Sequence, residues 1–395
     1  MKKKLNITLL LFTVAAIAVL LALPTGFERA QPDSRGRLRV ENVNNSAMRQ
    51  FGMIQTGDQY IDAVVETGIF KGRSVEAVNH LVGRLEFDRI YQPGDQVLAT
   101  IASVNDNIVK VTVVDYYRIG KECALLLLFF GLLITFSGWV GVRSILSFAF
   151  TGLTIWKLLL PGLLRGWDPI VASLGISAVL TVVIILLVSG VDRKGVSACI
   201  GSLCGIATTC GIAICFGDAF SIHGAVKPFS ETLLYSGFGH LNLTGIFLGG
   251  IFLASSGAVM DLSMDVASAM HEIAKKNPDI TFHELARSGL AVSRMVVGTM
   301  TTTLLLAYTG GFTTLLMVFI AQGTPVVNIL NIQYVAAEML HTLAGSIGLV
   351  TVAPFTSVVG AWILTQKTAR AAVVTNDSAF VAPQQNVSRT EAHLS

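Results

Sequence analysis

The chain is poor in charged residues. Only 13% of its 395 residues are Asp, Glu, Lys or Arg, whereas a soluble globular domain has about 25%. The net charge of +3 is small and dispersed, which argues against a nucleic-acid partner. Hydrophobic residues amount to 52% and gather in runs of about 20, the length that crosses a bilayer. The composition therefore excludes an ordinary soluble enzyme and predicts a polytopic membrane protein whose first partner is the lipid bilayer.

The five cysteines lack the spacing of a metal or redox site. Four of them lie in one apolar run, and no pair has CxxC spacing. The polar stretch 24–120 contains no cysteine, so we expect a fold there that does not depend on disulfides. We interpret the cysteines as small packed side chains and expect no metal site and no cofactor.

Motifs of hydrolytic enzymes are missing as well. The two His-Glu pairs, at 271–272 and 283–284, are not part of an HExxH zinc motif. An intramembrane aspartyl protease needs two aspartates on facing helices, but Asp261 and Asp265 lie four residues apart on one predicted helix. We expect no catalytic residue and no enzyme.

The N-terminus has the pattern of a membrane anchor. The basic start MKKK precedes an apolar run at 5–23, which predicts a cytoplasmic N-terminus. No clean A-x-A cleavage site follows the run, so residues 1–23 are interpreted as an uncleaved anchor, with a cleaved signal peptide as the rival reading.

The polar stretch after the anchor predicts a small extracytoplasmic β domain. Alternating runs such as YIDAVVE (60–66) and NIVKVTVVD (107–115), separated by turn signals such as QPGD, indicate about five strands. A closed OB or SH3-like barrel over 59–117 would pair every strand edge. Residues 24–58 are expected to be a tether.

Residues 120–366 predict the multi-span membrane domain, and residues 367–395 a disordered polar tail. With the anchor we expect an all-α bundle of about 8–9 spans. One segment, 311–329, is interrupted by QGTP (322–325) and could be a broken or re-entrant helix. The expected spans are 122–139, 144–162, 169–190, 195–216, 241–260, 290–309, 311–329 and 343–365.

The placement of Lys and Arg sets the expected orientation. The connections on the N-terminal side hold Arg143, Arg193–Lys194 and Lys275–Lys276, whereas the opposite ones hold only Arg165 and Lys227. This bias predicts a cytoplasmic N-terminus, and it supports the resulting orientation of the spans as far as the sixth span of the bundle. The side of the C-terminus stays open.

An acidic stripe is the most unusual feature of the bundle. At 100° per residue, Asp261, Asp265, Ser268 and Glu272 fall within an arc of about 60° on one helix. Three readings remain: a surface helix whose carboxylates face water, a proton or cation site open to the cytoplasm, or an ion pair with Arg287 or Arg294. Two carboxylates within reach of each other could share a proton.

Two further segments carry polar groups at membrane depth. The run 293–311 begins with Arg294 and carries Thr299 and Thr301, which could line a path or bond back to their own helix. The run 336–348 carries Glu338 and, three residues later, His341. Here an interfacial helix is the simpler explanation.

The segments SSGAVMDLSMDVASAMHEI (255–273), VGTMTTTLLLAY (297–308) and AAEMLHTLAGSIGLVTVAPFTS (336–357) together resemble the YibE/F-like family of bacterial multi-pass membrane proteins. The similarity covers roughly 120–365. Two positions depart from the family pattern: Met295 follows Arg294 where an Asp is common, and Thr302 stands where an Asn is common. The resemblance implies a fold and a location in the bacterial cell membrane, and no established biochemical activity.

Two functions remain open at this point. The first is a proton- or ion-coupled transporter or permease of unknown substrate, with Asp261 and Asp265 as coupling groups. The alternative is a non-transporting envelope assembly or sensing protein whose extracytoplasmic domain binds a partner. The candidate partners are accordingly a small molecule or ion, an envelope protein, and a second copy of the chain.

Overall fold

The computed structural model describes residues 2–27, 34–105 and 107–379. The chain divides into two compact units. The barrel unit comprises Phe27–Gly138, and the helical unit comprises Met1–Gly26 together with Trp139–Ser395.

Eleven α-helices are present among the described residues, with a π-helical turn at Ile155–Leu159 and a 3-10 turn at Gly224–Val226. They are α1 (Lys2–Ala22), α2 (Ile119–Thr154), α3 (Leu160–Leu164), α4 (Pro169–Ser189), α5 (Arg193–Ala219), α6 (Ser230–Tyr235), α7 (Leu243–Lys276), α8 (Phe282–Gly310), α9 (Thr313–Ala321), α10 (Val326–Asn331) and α11 (Gln333–Ala379).

Seven helical segments in the described part of the chain are long and apolar enough to cross a membrane. The run Ile119–Leu164 covers both spans expected at 122–139 and 144–162. The loop expected between them is absent: Arg143 lies inside α2, and the backbone leaves helical geometry at Gly138, where φ is 55°. The glycine permits this positive φ without steric cost.

The C-terminal third confirms one expectation and differs from another. Residues 311–329 form no single long helix, because α9 ends before Gln322 and α10 begins after Pro325, so the QGTP interruption is confirmed. Helix α11 continues through Ala379, beyond the expected start of the polar tail at 367. The remainder of that tail, 380–395, lies outside the described residues.

Small residues let α5, α7 and α11 pack closely in the helical unit. A Cβ at Gly205 of α5 would lie 2.9 Å from side-chain atoms of both Val259 of α7 and Val352 of α11. A Cβ at Gly201, one turn earlier, would collide with the Thr356 side chain. Close approach at glycines is how helices associate where lipid removes the hydrophobic driving force. Gly201 and Gly205 therefore permit the close contact of α5 with its neighbours.

The barrel unit is built from six strands, five of which close into a ring. β1 pairs with β3 and β5, β5 with β6, β6 with β4, and β4 with β3; β2 extends β3 outside the ring. The alternating runs identified in the sequence fall in β3 to β6. The strands are β1 (Ser34–Asn44), β2 (Met48–Phe51), β3 (Ile54–Val65), β4 (Ser74–Val82), β5 (Gln96–Val104) and β6 (Asn107–Tyr116).

The expectation of a tether over 24–58 is wrong for its larger part. Residues 34–58 supply β1, β2 and the start of β3. Leu38 and Val40 of β1 are fully buried in the barrel core beside Ile61 and Ile101. The alternation in β1 is short, because the β1–β3 register shifts between Val40 and Asn42, and this bulge breaks the period of two.

A buried amide ties the barrel strands to the loop before β5. The Gln59 side chain of β3 is fully buried, and its Nε2 donates to Tyr91 O and to Asn45 Oδ1, each at 2.9 Å. Its Oε1 accepts from Tyr91 N and from Asn79 Nδ2, each at 3.1 Å. All four hydrogen-bonding positions of the amide are therefore used. Burial also raises the pKa of the Tyr91 phenol, which stays neutral at physiological pH.

We predict that Gln59→Leu lowers the free energy of opening of the barrel by about 2–4 kcal/mol, since it leaves several buried polar groups without partners. Hydrogen–deuterium exchange of β3 and β4 peptides in the detergent-purified full chain measures the change. Gln92→Leu, at an exposed position, is the matched control. Equal exchange rates in the two variants would contradict the prediction.

Candidate functional site

The acidic stripe lies on the open face of α7. Asp261, Asp265 and Glu272 are exposed and Ser268 is half-buried. Val259, Leu262 and Val266, on the opposite face, are fully buried. The predicted two-faced helix is therefore present. Among the described residues no ion pair joins the stripe to Arg287 or Arg294, so that alternative is not realised.

The polar residues of α8 do not join the stripe into one site. Arg294 and Thr299 are exposed. The hydroxyl of Thr299 donates to Val296 O and that of Thr301 to Val297 O, both at 3.0 Å. Both threonines therefore bond back to their own helix. The same helix begins with a capping box of Thr281 and Glu284.

Glu338, by contrast, belongs to a compact charged cluster. Lys227 Nζ donates to Glu338 Oε2 at 3.1 Å, and His341 Nδ1 lies 3.7 Å from Glu338 Oε1. The side chains of Glu338 and His341 are only 13% and 12% exposed, whereas that of Lys227 is 37% exposed. We call Lys227, Glu338 and His341 the charged cluster.

Three parts of the chain position the charged cluster. Glu338 and His341 stand three residues apart near the start of α11, and this spacing places them on one helix face. Lys227 follows the 3-10 turn, whose Gly224 lies against the backbone of α7 at Leu243. Gly224 N also donates to Thr244 Oγ1 at 3.1 Å. The turn therefore fixes the chain just before the lysine.

Aromatic rings surround the cationic and imidazole groups. The Lys227 ammonium lies 5.5 Å from the ring centroids of both Phe247 and Phe312, within range of a cation–π contact. The His341 ring lies 4.1 Å from the Tyr308 ring, centroid to centroid. Both His341 ring nitrogens are buried and have no hydrogen-bond partner among the described residues. A ligand that contacts this imidazole therefore has no hydrogen bond of the described residues to displace.

The charged cluster opens onto two cavities. The Lys227 cavity has a volume of about 420 Å³, and its lining includes Lys227, His341, Ser230, Phe247 and Ile251. The Glu338 cavity has a volume of about 280 Å³ and is lined by Glu338, by Thr309 and Thr342, and otherwise by apolar residues of the α8–α11 region. Neither cavity includes a residue of the acidic stripe. The carboxylate that lines one cavity thus contacts the ammonium and the imidazole that line the other.

The sequence pointed to only part of the charged cluster. The spacing of Glu338 and His341 is visible in the sequence. Lys227 is visible there only as a residue of a connecting loop, and no pattern points to Tyr308. Lys227 lies 111 residues before its partner, so no local spacing rule could join them. The one available signal was an unpaired lysine among the few charges on its side of the bundle.

We predict a favourable coupling of about 1–2 kcal/mol between Lys227 and Glu338, modest because the lysine is partly exposed. Lys227→Met and Glu338→Gln should each destabilise the helical unit, and the double variant should be more stable than the sum of the two losses allows. Thermal unfolding in detergent measures this double-mutant cycle. Lys275→Met, at an exposed position of α7, serves as the control. Strict additivity would show that the pair contributes nothing.

One comparison with known proteins identifies a family. The family model described as YibE/F-like protein matches residues 125–366. This range covers more than half of the chain and includes every residue of the charged cluster and of the acidic stripe. No curated protein and no solved structure matches the chain significantly. On the family match, the chain belongs to the YibE/F-like family.

Proposed function

We propose that this protein is an integral multi-pass protein of the bacterial cell membrane that couples the movement of a proton or cation to that of a small solute. The charged cluster is the site at which charge is handled. The observation that carries the proposal is the Lys227–Glu338–His341 contact at the border of two cavities.

Ionisable groups in a membrane bundle are rare because they are costly there, and they commonly mark ion or proton pathways. The Glu338 carboxylate can gain a proton, and His341 beside it can take or pass one. Lys227 keeps the ionised carboxylate neutralised in the resting state. A coupled transporter requires at least one group that can release its cationic partner and bind a proton in its place.

Contacts inside the helical unit support a cytoplasmic N-terminus. Near the start of α1, Asn6 Oδ1 accepts from Val191 N at 2.9 Å, beside the basic Arg193–Lys194. After the end of α1, Arg165 donates to Thr25 O at 2.9 Å. The N-terminus thus lies on the same side as the connection that carries Arg193 and Lys194. The charged cluster, near the start of α7, then faces the extracytoplasmic side.

The acidic stripe takes a lesser place in this proposal. Asp261, Asp265 and Glu272 are exposed, so no chamber formed by the described helices encloses them. They remain candidates for proton capture at the cytoplasmic end of α7, together with Arg294 on α8. We therefore assign the coupling role to Glu338 rather than to the aspartates.

We predict that Glu338→Gln lowers coupled proton flux about tenfold or more, because the amide cannot exchange a proton. The protein is reconstituted into vesicles that enclose a pH-sensitive dye, and a pH gradient is imposed with a panel of solutes added outside. Asp261→Asn/Asp265→Asn is the comparison variant and should retain most of the flux. Unchanged flux in a folded Glu338→Gln protein would remove the charged cluster from the mechanism.

The barrel unit supports a second candidate function, partner binding. We propose that the barrel is of the OB rather than the SH3-like type, because β4 and β6 run parallel where they meet. They pair only at Val78 and Thr112, and a cleft of about 570 Å³ opens between 73–78 and 108–111. Arg73 and Lys110 outnumber Glu76 on its walls. The unpaired edges of β4 and β6 can accept an extended segment, and the excess of positive charge favours an acidic one. We therefore propose an extended, acidic segment of an envelope protein as the partner.

We predict that a photo-crosslinker at Val109, which is 67% exposed in the cleft, captures one discrete envelope protein in cells. The same crosslinker at Val82, 64% exposed but outside the cleft, should capture none. Arg73→Glu/Lys110→Glu should abolish the adduct by charge reversal. An adduct that survives this reversal, or forms equally at both positions, would rule out the cleft as the docking site.

A further inference from the structure

We propose that the Lys227 cavity binds a monoanion with an apolar body, such as a monocarboxylate, and that its anionic group replaces Glu338 at Lys227 when Glu338 gains a proton. This inference rests on the proposed function and names the substrate class of the same site. It makes the charged cluster a proton–anion exchange site.

The lining of the cavity fits such a ligand. Its volume of about 420 Å³ lies within the range of small-molecule sites. Most of the wall is apolar, and the polar side chains are concentrated at Lys227, Ser230 and His341. A ligand that is charged at one end and apolar over the rest of its body matches this division. The apolar wall includes Leu233, Leu243, Ile246, Phe247 and Ile251.

Lys227 is able to accept a second anionic partner. Its ammonium has three donors, and Glu338 Oε2 takes one of them at 3.1 Å. The side chain keeps 37% of its surface exposed, so an entering carboxylate can reach it. The contacts with Phe247 and Phe312 hold the ammonium in place when the partner changes.

Charge balance makes proton uptake part of anion binding. Ionised Glu338 and Lys227 sum to zero, so a second anion would leave one uncompensated negative charge in an apolar surrounding. If Glu338 is protonated, the carboxylic acid is neutral and Lys227 pairs with the ligand instead. One anion therefore enters with one proton taken from water, which forms the O–H bond of the Glu338 acid, and no other covalent bond changes.

The other titratable groups around the cluster leave this balance intact. Tyr308 of α8 faces His341, and α7 presents the uncharged Phe247. On the other side of Lys227, Glu231 of α6 and Tyr334 of α11 line a cavity of about 320 Å³ that also includes the lysine. No ion pair joins Glu231 to Lys227 among the described residues. The imidazole of His341 lies beside Glu338 and, being uncharged, leaves the balance between Lys227 and Glu338 unchanged.

Two sources could supply a ligand of this chemistry: a short water-soluble carboxylate, or a fatty acid from the bilayer. Both have an anionic head and an apolar body, and they differ in the length of that body. The probes are therefore hexanoate, its neutral analogue hexanol, and oleate added to the vesicle lipid. Binding to the full chain in vesicles is measured with radiolabelled probe, and proton uptake with a pH indicator.

The wild-type protein should bind hexanoate or oleate but not hexanol, with one proton taken up per anion. Lys227→Met should weaken binding at least about tenfold. Glu338→Gln, which imitates the protonated acid, should strengthen binding about tenfold at neutral pH and abolish proton uptake. Lys275→Met should behave as the wild type. Preference for oleate over hexanoate would identify the bilayer as the source.

Equal hexanoate and oleate binding by the wild type and Lys227→Met would overturn the inference, as would weaker binding by Glu338→Gln. The proposed function fails independently. Anion binding with the expected variant pattern but without flux would leave a binding site and no transporter. Proton flux that depends on Glu338 without anion binding would leave the transporter and remove this substrate class.

Discussion

A charge held inside an apolar bundle must have a partner, and the Lys227–Glu338 pair meets this constraint. Each group therefore avoids the large desolvation cost of an unpaired ion in a weakly polar environment. The two residues come from distant parts of the chain, so their contact requires the turn before Lys227 and the start of α11 to meet at the head of α7. Beside this contact, both ring nitrogens of His341 are buried and have no hydrogen-bond partner among the described residues. The cavities, the cluster and the proposed exchange all depend on it.

The close packing of α5, α7 and α11 provides the frame for this contact. Gly201 and Gly205 allow α11 to lie against α5 at Thr356 and Val352, and Gly348 of α11 approaches Thr209 in the same way. Larger side chains at these positions would separate the helices. The start of α11 would then move away from Phe247 and Lys227. The glycines thus affect the charged cluster indirectly, through the position of α11, although they contribute no atom to it.

Local patterns in the sequence predicted local structure well. The alternation of apolar residues located β3 to β6, and the QGTP run located the break between α9 and α10. The bulge hid β1, because it breaks the alternation on which strand prediction depends. The charged cluster was only half visible, since the partner of Glu338 is 111 residues away. Helical spacing located the acidic stripe, but it could not show that its neighbours leave that face open.

The stripe and the charged cluster lie near different parts of α7: Phe247, close to its start, contacts Lys227 of the cluster, and the stripe begins at Asp261. Fourteen positions separate Phe247 from Asp261, which is about 21 Å along the axis at 1.5 Å per residue. The buried polar side chains of α7 over that stretch are Ser255 and Ser256, and their hydroxyls donate to Ile251 O and Leu253 O of the same helix. Hydroxyls committed in this way do not relay a proton between the two ends. The proton exchange that we propose at Glu338 therefore uses the cavities beside it, and a change at Asp261 should leave it unaffected.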